Sequence, residues 1–144
     1  MLAVTDESAA IEFYQAAFRA QLLWKLGEGA DIVAALSIDG APFFLAYHAP
    51  EYGTRGPSSV GFTTVRIEPF VENPAETQRW AVKAGATEHS PIQEHEHPTR
   101  GPKPIRRMLQ GAVVDPFEHR WLIGKFLDGT MTLCALCAPR GFWG

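Results

Sequence analysis

Few residues in this sequence are of a type and spacing that could carry chemistry. Glu94-His95-Glu96-His97 alternates two imidazoles with two carboxylates, and an extended backbone would place His95 and His97 on one face, as metal ligands can be. Pro98 and Gly101 follow closely, so a polar, solvated loop is the expectation for that stretch. Cys134-x-x-Cys137 has half the spacing of a zinc or redox centre without a second ligand pair, and a reduced thiol segment is expected. In Val65-Arg66-Ile67-Glu68 a cation and a carboxylate alternate with apolar residues. Arg66 and Glu68 read either as a structural ion pair or as a polar pocket wall, because a buried pair is costly unless fully hydrogen-bonded. No Ser/His/Asp or Cys/His arrangement stands out, and no glycine cluster lies between a strand and a helix to cradle phosphate. No catalytic residue and no metal ligand is assigned.

The elements that must position such groups are clearer. The chain has 144 residues, 46% hydrophobic and 20% charged, enough for one domain with a full core. Its formal net charge of −3, with Lys and Arg dispersed, argues against a nucleic-acid partner. No apolar run approaches the ~18–20 residues of a membrane span, and no secretory signal is expected from Met1 to Asp6. With only two cysteines, both near the C-terminus, a reducing cytoplasm is the expected setting. Leu2 to Val4 read as a strand. Asp6 then caps a helix whose apolar stripe is Ala10, Phe13, Tyr14, Ala17 and Phe18, ending near Arg19. Strands follow at Gln21 to Leu26, Asp31 to Ile38 and Pro42 to His48, with Asp39-Gly40 as a hairpin turn. After a Pro- and Gly-rich connection from Ala49 to Gly61 the pattern restarts. Phe62 to Phe70 is predicted as a strand, Asn73 and Pro74 open a helix, and Gly85 ends it. Thr87 to Ile92, Ile105 to Val114 and His119 to Gly124 complete a second β-α-β-β-β order. Val4-Thr5-Asp6 matches Val71-Glu72-Asn73, and Ile38-Asp39-Gly40 matches Val114-Asp115-Pro116, which is the mark of a duplicated supersecondary unit.

Val4-x-Asp6, Ala10-Ile11-Glu12-Phe13-Tyr14 and Phe18-Arg19-Ala20 resemble the opening of the glyoxalase/bleomycin-resistance/dioxygenase family, the vicinal oxygen chelate proteins. Ala84-Gly85-Ala86 and Val114-Asp115-Pro116-Phe117-Glu118-His119-Arg120-Trp121 resemble its second helix end and last hairpin. The resemblance runs from Leu2 to Phe126 and implies an α+β fold in which two βαβββ modules, residues 1–50 and 61–126, form curved mixed sheets around a pocket. Residues 127–144 form a C-terminal extension, apolar enough to pack on the domain or on a partner chain. Arg19 and Glu118 stand where the family usually has glycine, and Arg106 to Gln110 replace its customary aromatic and glycine residues.

Metal-dependent members of the family hold a divalent ion with His, Gln or Glu from four strands. The corresponding positions here are absent before Val4, then Tyr47, Arg66 and Leu122, which do not form a chelating set, so no metal or other cofactor is expected. Strand alternation assigns Arg66, Glu68 and Phe70 to the cupped side, puts Arg120 and Leu122 on one strand face, and groups Phe43, Leu45 and Tyr47; Trp24 and Met108 join the candidate ligand-binding set. An aromatic cleft with a few polar anchors is the usual make-up of a small-molecule site. The leading expectation is therefore a bleomycin-resistance-type protein that sequesters a small, aromatic or partly apolar organic ligand, such as an antibiotic, as a homodimer. The alternatives are a metal-dependent lyase, isomerase or dioxygenase, and a metal-free enzyme using Glu68 or a loop histidine for proton transfer.

Overall fold

The computed structural model describes residues 1–28, 31–98 and 105–127. Two modules repeat one order: β1 (Leu2–Val4), α1 (Glu7–Phe18), β2 (Gln21–Leu26), β3 (Val33–Ile38) and β4 (Ala41–Tyr47), then β5 (Arg66–Ile67), α3 (Pro74–Lys83), β6 (Thr87–Pro98), β7 (Ile105–Val114) and β8 (Arg120–Phe126). The connection holds a 3-10 turn at Pro50–Tyr52 and a one-turn helix α2 at Pro57–Val60. The sheets run β1-β4-β3-β2 and β5-β8-β7-β6, the same order twice. In each, the first strand lies parallel to the last and the other pairs are antiparallel. The α+β architecture and the duplicated unit are as the sequence implied. The C-terminal extension beyond Leu127, with Cys134 and Cys137, lies outside the described residues.

Local chemistry explains the boundaries. Asp6 accepts from the Ala9 N–H at 2.9 Å and Asn73 from the Glu76 N–H at 3.2 Å, so both helices start on a side-chain cap. Arg19, in the place of the customary glycine, itself takes the left-handed conformation with φ 53°. That geometry costs a non-glycine residue about 1–2 kcal/mol, offset in part because its guanidinium sits 3.8 Å from the Trp80 ring centroid on α3. Glu118 is likewise left-handed, with φ 68°, in the β7–β8 turn.

Two strands differ from expectation. The strand predicted for Phe62 to Phe70 is reduced to Arg66–Ile67, with one further bridge from Phe70 to Gly124. Pro69 has no N–H to give a ladder, and the Thr63 hydroxyl folds its own segment over by donating to the Val65 carbonyl at 2.8 Å. The strand predicted to end at Ile92 continues to Pro98, so Glu94 to His97 are extended backbone rather than loop. The long β7 supplies ladder partners, and Glu94 on β6 accepts a 2.7 Å hydrogen bond from Arg107 Nε on β7. Register breaks between Glu88 and Gln93 absorb Pro91, and Gln78 on α3 donates to the Ser90 carbonyl in that irregular stretch at 2.7 Å.

One core joins both modules. Helix α1 packs on α3, and Phe13, Tyr14 and Phe18 meet Phe117 and Trp121 from the far end of the chain. At its centre the buried Asp115 carboxylate receives four donors: Tyr14 Oη and Trp121 Nε1 reach Oδ2 at 2.8 Å each, and the Phe117 and His119 N–H groups reach Oδ1 at 2.9 Å each. His119 Nε2 then contacts the Ala3 carbonyl at 2.9 Å, tying the last hairpin to the first strand. Burial, followed by the Asp115 charge, pushes the Tyr14 hydroxyl well above the usual phenol range.

Two stability outcomes follow from this packing. Tyr14→Phe should cost about 1.5–3 kcal/mol, the value of a hydrogen bond to a charged group, read by urea unfolding at pH 7. The raised Tyr14 pKa gives a stabilisation complete below ~10, the phenol value of an unfolded chain, and lost as pH rises above it. The alkaline decline of the wild type should accordingly be shallower in Tyr14→Phe, and equal slopes would contradict the assignment. Gly111→Ala would set a Cβ 2.7 Å from Ile92 Cδ1 and 2.8 Å from the Ile92 backbone nitrogen. A loss of about 1–3 kcal/mol is expected from that overpacking, and an unchanged unfolding midpoint would contradict it.

Candidate functional site

Register sorts the candidate residues onto faces, because in-register partners on neighbouring strands point the same way. On the second sheet Arg66 pairs with Arg120, Ala112 with Leu122, Met108 with Phe126, and Phe70 bridges Gly124. Their opposite-face neighbours, Ile67, Val113, Trp121 and Ile123, belong to or pack on the core. Arg66, Phe70, Met108, Arg120 and Leu122 therefore share the sheet face turned away from the core, with Glu68 beside Arg66. Arg66 Nη2 lies 3.8 Å from Glu68 Oε1, and both side chains are exposed, so the pair is a surface contact rather than a buried one.

The first sheet is sorted the other way. Phe43, Leu45 and Tyr47 do share one face of β4, but it is the helix face: Phe43 meets the Tyr14 and Trp121 rings at 5.5 and 6.0 Å, and Leu45 is fully buried. The open face carries Phe44 and Trp24 instead, ring centroids 5.7 Å apart and 43% and 42% exposed. Alternation fixes which residues group together, but it does not fix which group faces the helix. A shift of one residue exchanges the two sides.

Between the modules lies a cleft of about 930 Å³. Its floor is Phe43 and Trp121, with Leu2 and Ile67 at the sides; the Ile38–Pro42 hairpin forms one lip. The outer wall is Glu68, Phe70 and Phe126, with the two phenyl rings stacked at 4.7 Å and 9°. Lys125 closes the polar end, donating to the Glu72 carbonyl at 2.9 Å and pairing with its carboxylate at 3.1 Å. Of the ten sequence candidates, Phe43, Glu68 and Phe70 line this cleft. Trp24, Leu45, Tyr47, Arg66, Met108, Arg120 and Leu122 do not. Sequence reasoning missed Phe126, which continuing the β8 alternation past Gly124 would have reached, and Lys125 on the other face of that strand. It also missed Trp121, which lies on the opposite face of β8 from Arg120 and Leu122 yet lines the cleft.

A chelating centre does not fit this donor set. Among the described residues no three His, Cys, Asp or Glu side chains come together. The Leu122, Arg66 and Tyr47 side chains offer an alkyl group, a cation and a phenol where a divalent ion needs several convergent donors. His95 and His97 do share a strand, with ring centroids 6.2 Å apart. Two other polar groups are conspicuous in the first module and its end. Glu7, in the first turn of α1, is buried and its carboxyl is raised above the usual range, chiefly by burial; its Oε1 and the Nδ1 of His48 are buried without a hydrogen-bond partner. No described helix is long and apolar enough to cross a membrane.

Known proteins place this arrangement. No family model matches the chain. An uncharacterized protein of Mycobacterium bovis is 32% identical over 129 residues, spanning 86% of this chain and 79% of that protein. Among solved structures, TioX from Micromonospora sp. ML1 superposes with a TM-score of 0.61 at 22% identity, over 92% of this chain and 94% of its own. A glyoxalase/bleomycin resistance protein/dioxygenase family enzyme from Burkholderia phytofirmans PsJN gives a TM-score of 0.62 at 16% identity, over 88% of this chain and 94% of its own. The chain thus belongs to one sequence family with the mycobacterial protein, and its duplicated βαβββ fold is similar to that of TioX and of the glyoxalase/bleomycin resistance protein/dioxygenase family enzyme.

Proposed function

We propose that this chain binds and sequesters a small organic molecule with an aromatic or partly apolar body, such as an antibiotic, without transforming it. The single observation that carries this reading is the cleft itself: about 930 Å³, floored by Phe43 and Trp121 and walled by the stacked Phe70–Phe126 pair. That volume lies in the range of ordinary ligand pockets, and aromatic walls with few polar groups are their normal lining. The second-sheet face continues from the same wall through Leu122 to Arg66 and Arg120, so a bound molecule can extend along it. Binding by stacking needs no proton transfer and no chelated ion, which suits a donor set that does not converge.

Two further readings travel with this one. A homodimer is supported by the open face of the first sheet, where Trp24, Leu26 and Phe44 remain exposed in one chain and a second copy would cover them. A cytoplasmic setting is the location in which such a sequestering protein would meet its ligand.

The neutral fluorophore N-phenyl-1-naphthylamine tests the reading directly. Saturable, one-to-one binding to the full chain is expected, with the dye recovered chemically unchanged. Phe70 is 42% exposed, so Phe70→Ala should leave the fold intact. It should weaken binding about 2- to 12-fold, the equivalent of one lost aromatic pair. Absence of saturable binding, or affinity indifferent to Phe70, would remove the cleft from consideration.

A further inference from the structure

Arg66 and Arg120 are direct partners on the parallel strands β5 and β8. Their backbones are about 4.8 Å apart and both side chains leave the same face. Like charges set opposite each other destabilise a strand pair. Glu68 stands 3.8 Å from Arg66, and the Arg66 side chain remains 61% exposed. Arg120 has no ion pair or hydrogen bond among the described residues, and its Nε is buried with nothing to donate to. Leu122, Phe70 and Phe126, which continue this face on β8 and beside it, are apolar and cannot accept from it.

We infer that Arg66 and Arg120 form an oxyanion subsite, which takes the carboxylate of a ligand whose aromatic body lies along Leu122 and Phe70. Planar guanidiniums match a carboxylate through paired N–H donors, and two of them side by side can hold both oxygens. Bound there, a carboxylate relieves the repulsion between the two cations. Glu68 tunes the charge: two cations and one carboxylate leave a single net positive charge, which suits a monoanion better than a dianion. The inference rests on the small-molecule reading above and narrows it to an aromatic monocarboxylate.

A matched pair of probes separates the two claims. Titration calorimetry of the full chain at low salt, with 1-naphthoate and the neutral 1-naphthamide, should show the carboxylate binding at least tenfold more tightly. Arg120→Gln and Arg66→Gln should each remove most of that advantage while leaving naphthamide affinity within twofold. Glu68→Gln should strengthen naphthoate binding. Arg→Lys at either position keeps the charge without the planar fork, so it should retain part of the advantage and serves if a glutamine variant fails to fold. Equal wild-type affinities for the two probes, or an advantage insensitive to both arginines, overturn the subsite while leaving the cleft reading intact. Failure of naphthamide and naphthoate alike overturns both.

Discussion

The structure depends on one buried carboxylate. Asp115 gathers a phenol from α1, an indole from β8 and two backbone N–H groups from its own turn. Removing a charge from water is costly unless its lone pairs are filled, and these four donors fill them. They also come from opposite ends of the chain, since Tyr14 lies in the first helix and Trp121 in the last strand. The carboxylate thus fixes how the two modules meet. It orients the Trp121 ring against Phe18, stacked at 4.5 Å, and Trp121 also lines the cleft.

From that constraint the functional region follows by geometry. The two sheets are joined on their helix faces, where α1 and α3 pack together. Leu2 of β1 and Ile67 of β5 both line the cleft, together with Phe43 and Trp121 of the aromatic cluster that stabilises the core. Core and cleft wall are continuous here: Phe43 contacts Tyr14 and also lines the cleft. A molecule lodged in the cleft would bridge the two modules and add to their stability by mass action.

Much of this was legible in the residues, for identifiable reasons. Helix caps, the Asp39-Gly40 turn and the helical stripe of α1 are local chemistry, and each lies where the sequence puts it. Duplication was legible because matching residues recur in the same order. The edge strand β5 was over-read, because apolar residues from Phe62 onward looked like a strand while Pro69 and Thr63 denied them a ladder. The segment Glu94 to His97 was under-read, because its extended form depends on a partner strand more than ten residues later. The β4 face was reversed for a related reason: Phe43 and Phe44 are equally apolar, and only contact with Tyr14 and Trp121 decides which of them is inside. Local signals carry the elements, while tertiary pairing decides faces and strand ends.

The claim that matters most is that organic contacts, rather than a chelated ion, hold the ligand of this fold. Native mass spectrometry of the full chain, purified without chelators, tests it most directly. The account predicts a non-covalent organic adduct in stoichiometric ratio to the chain that dissociates on denaturation. A stoichiometric divalent ion in its place would contradict the account.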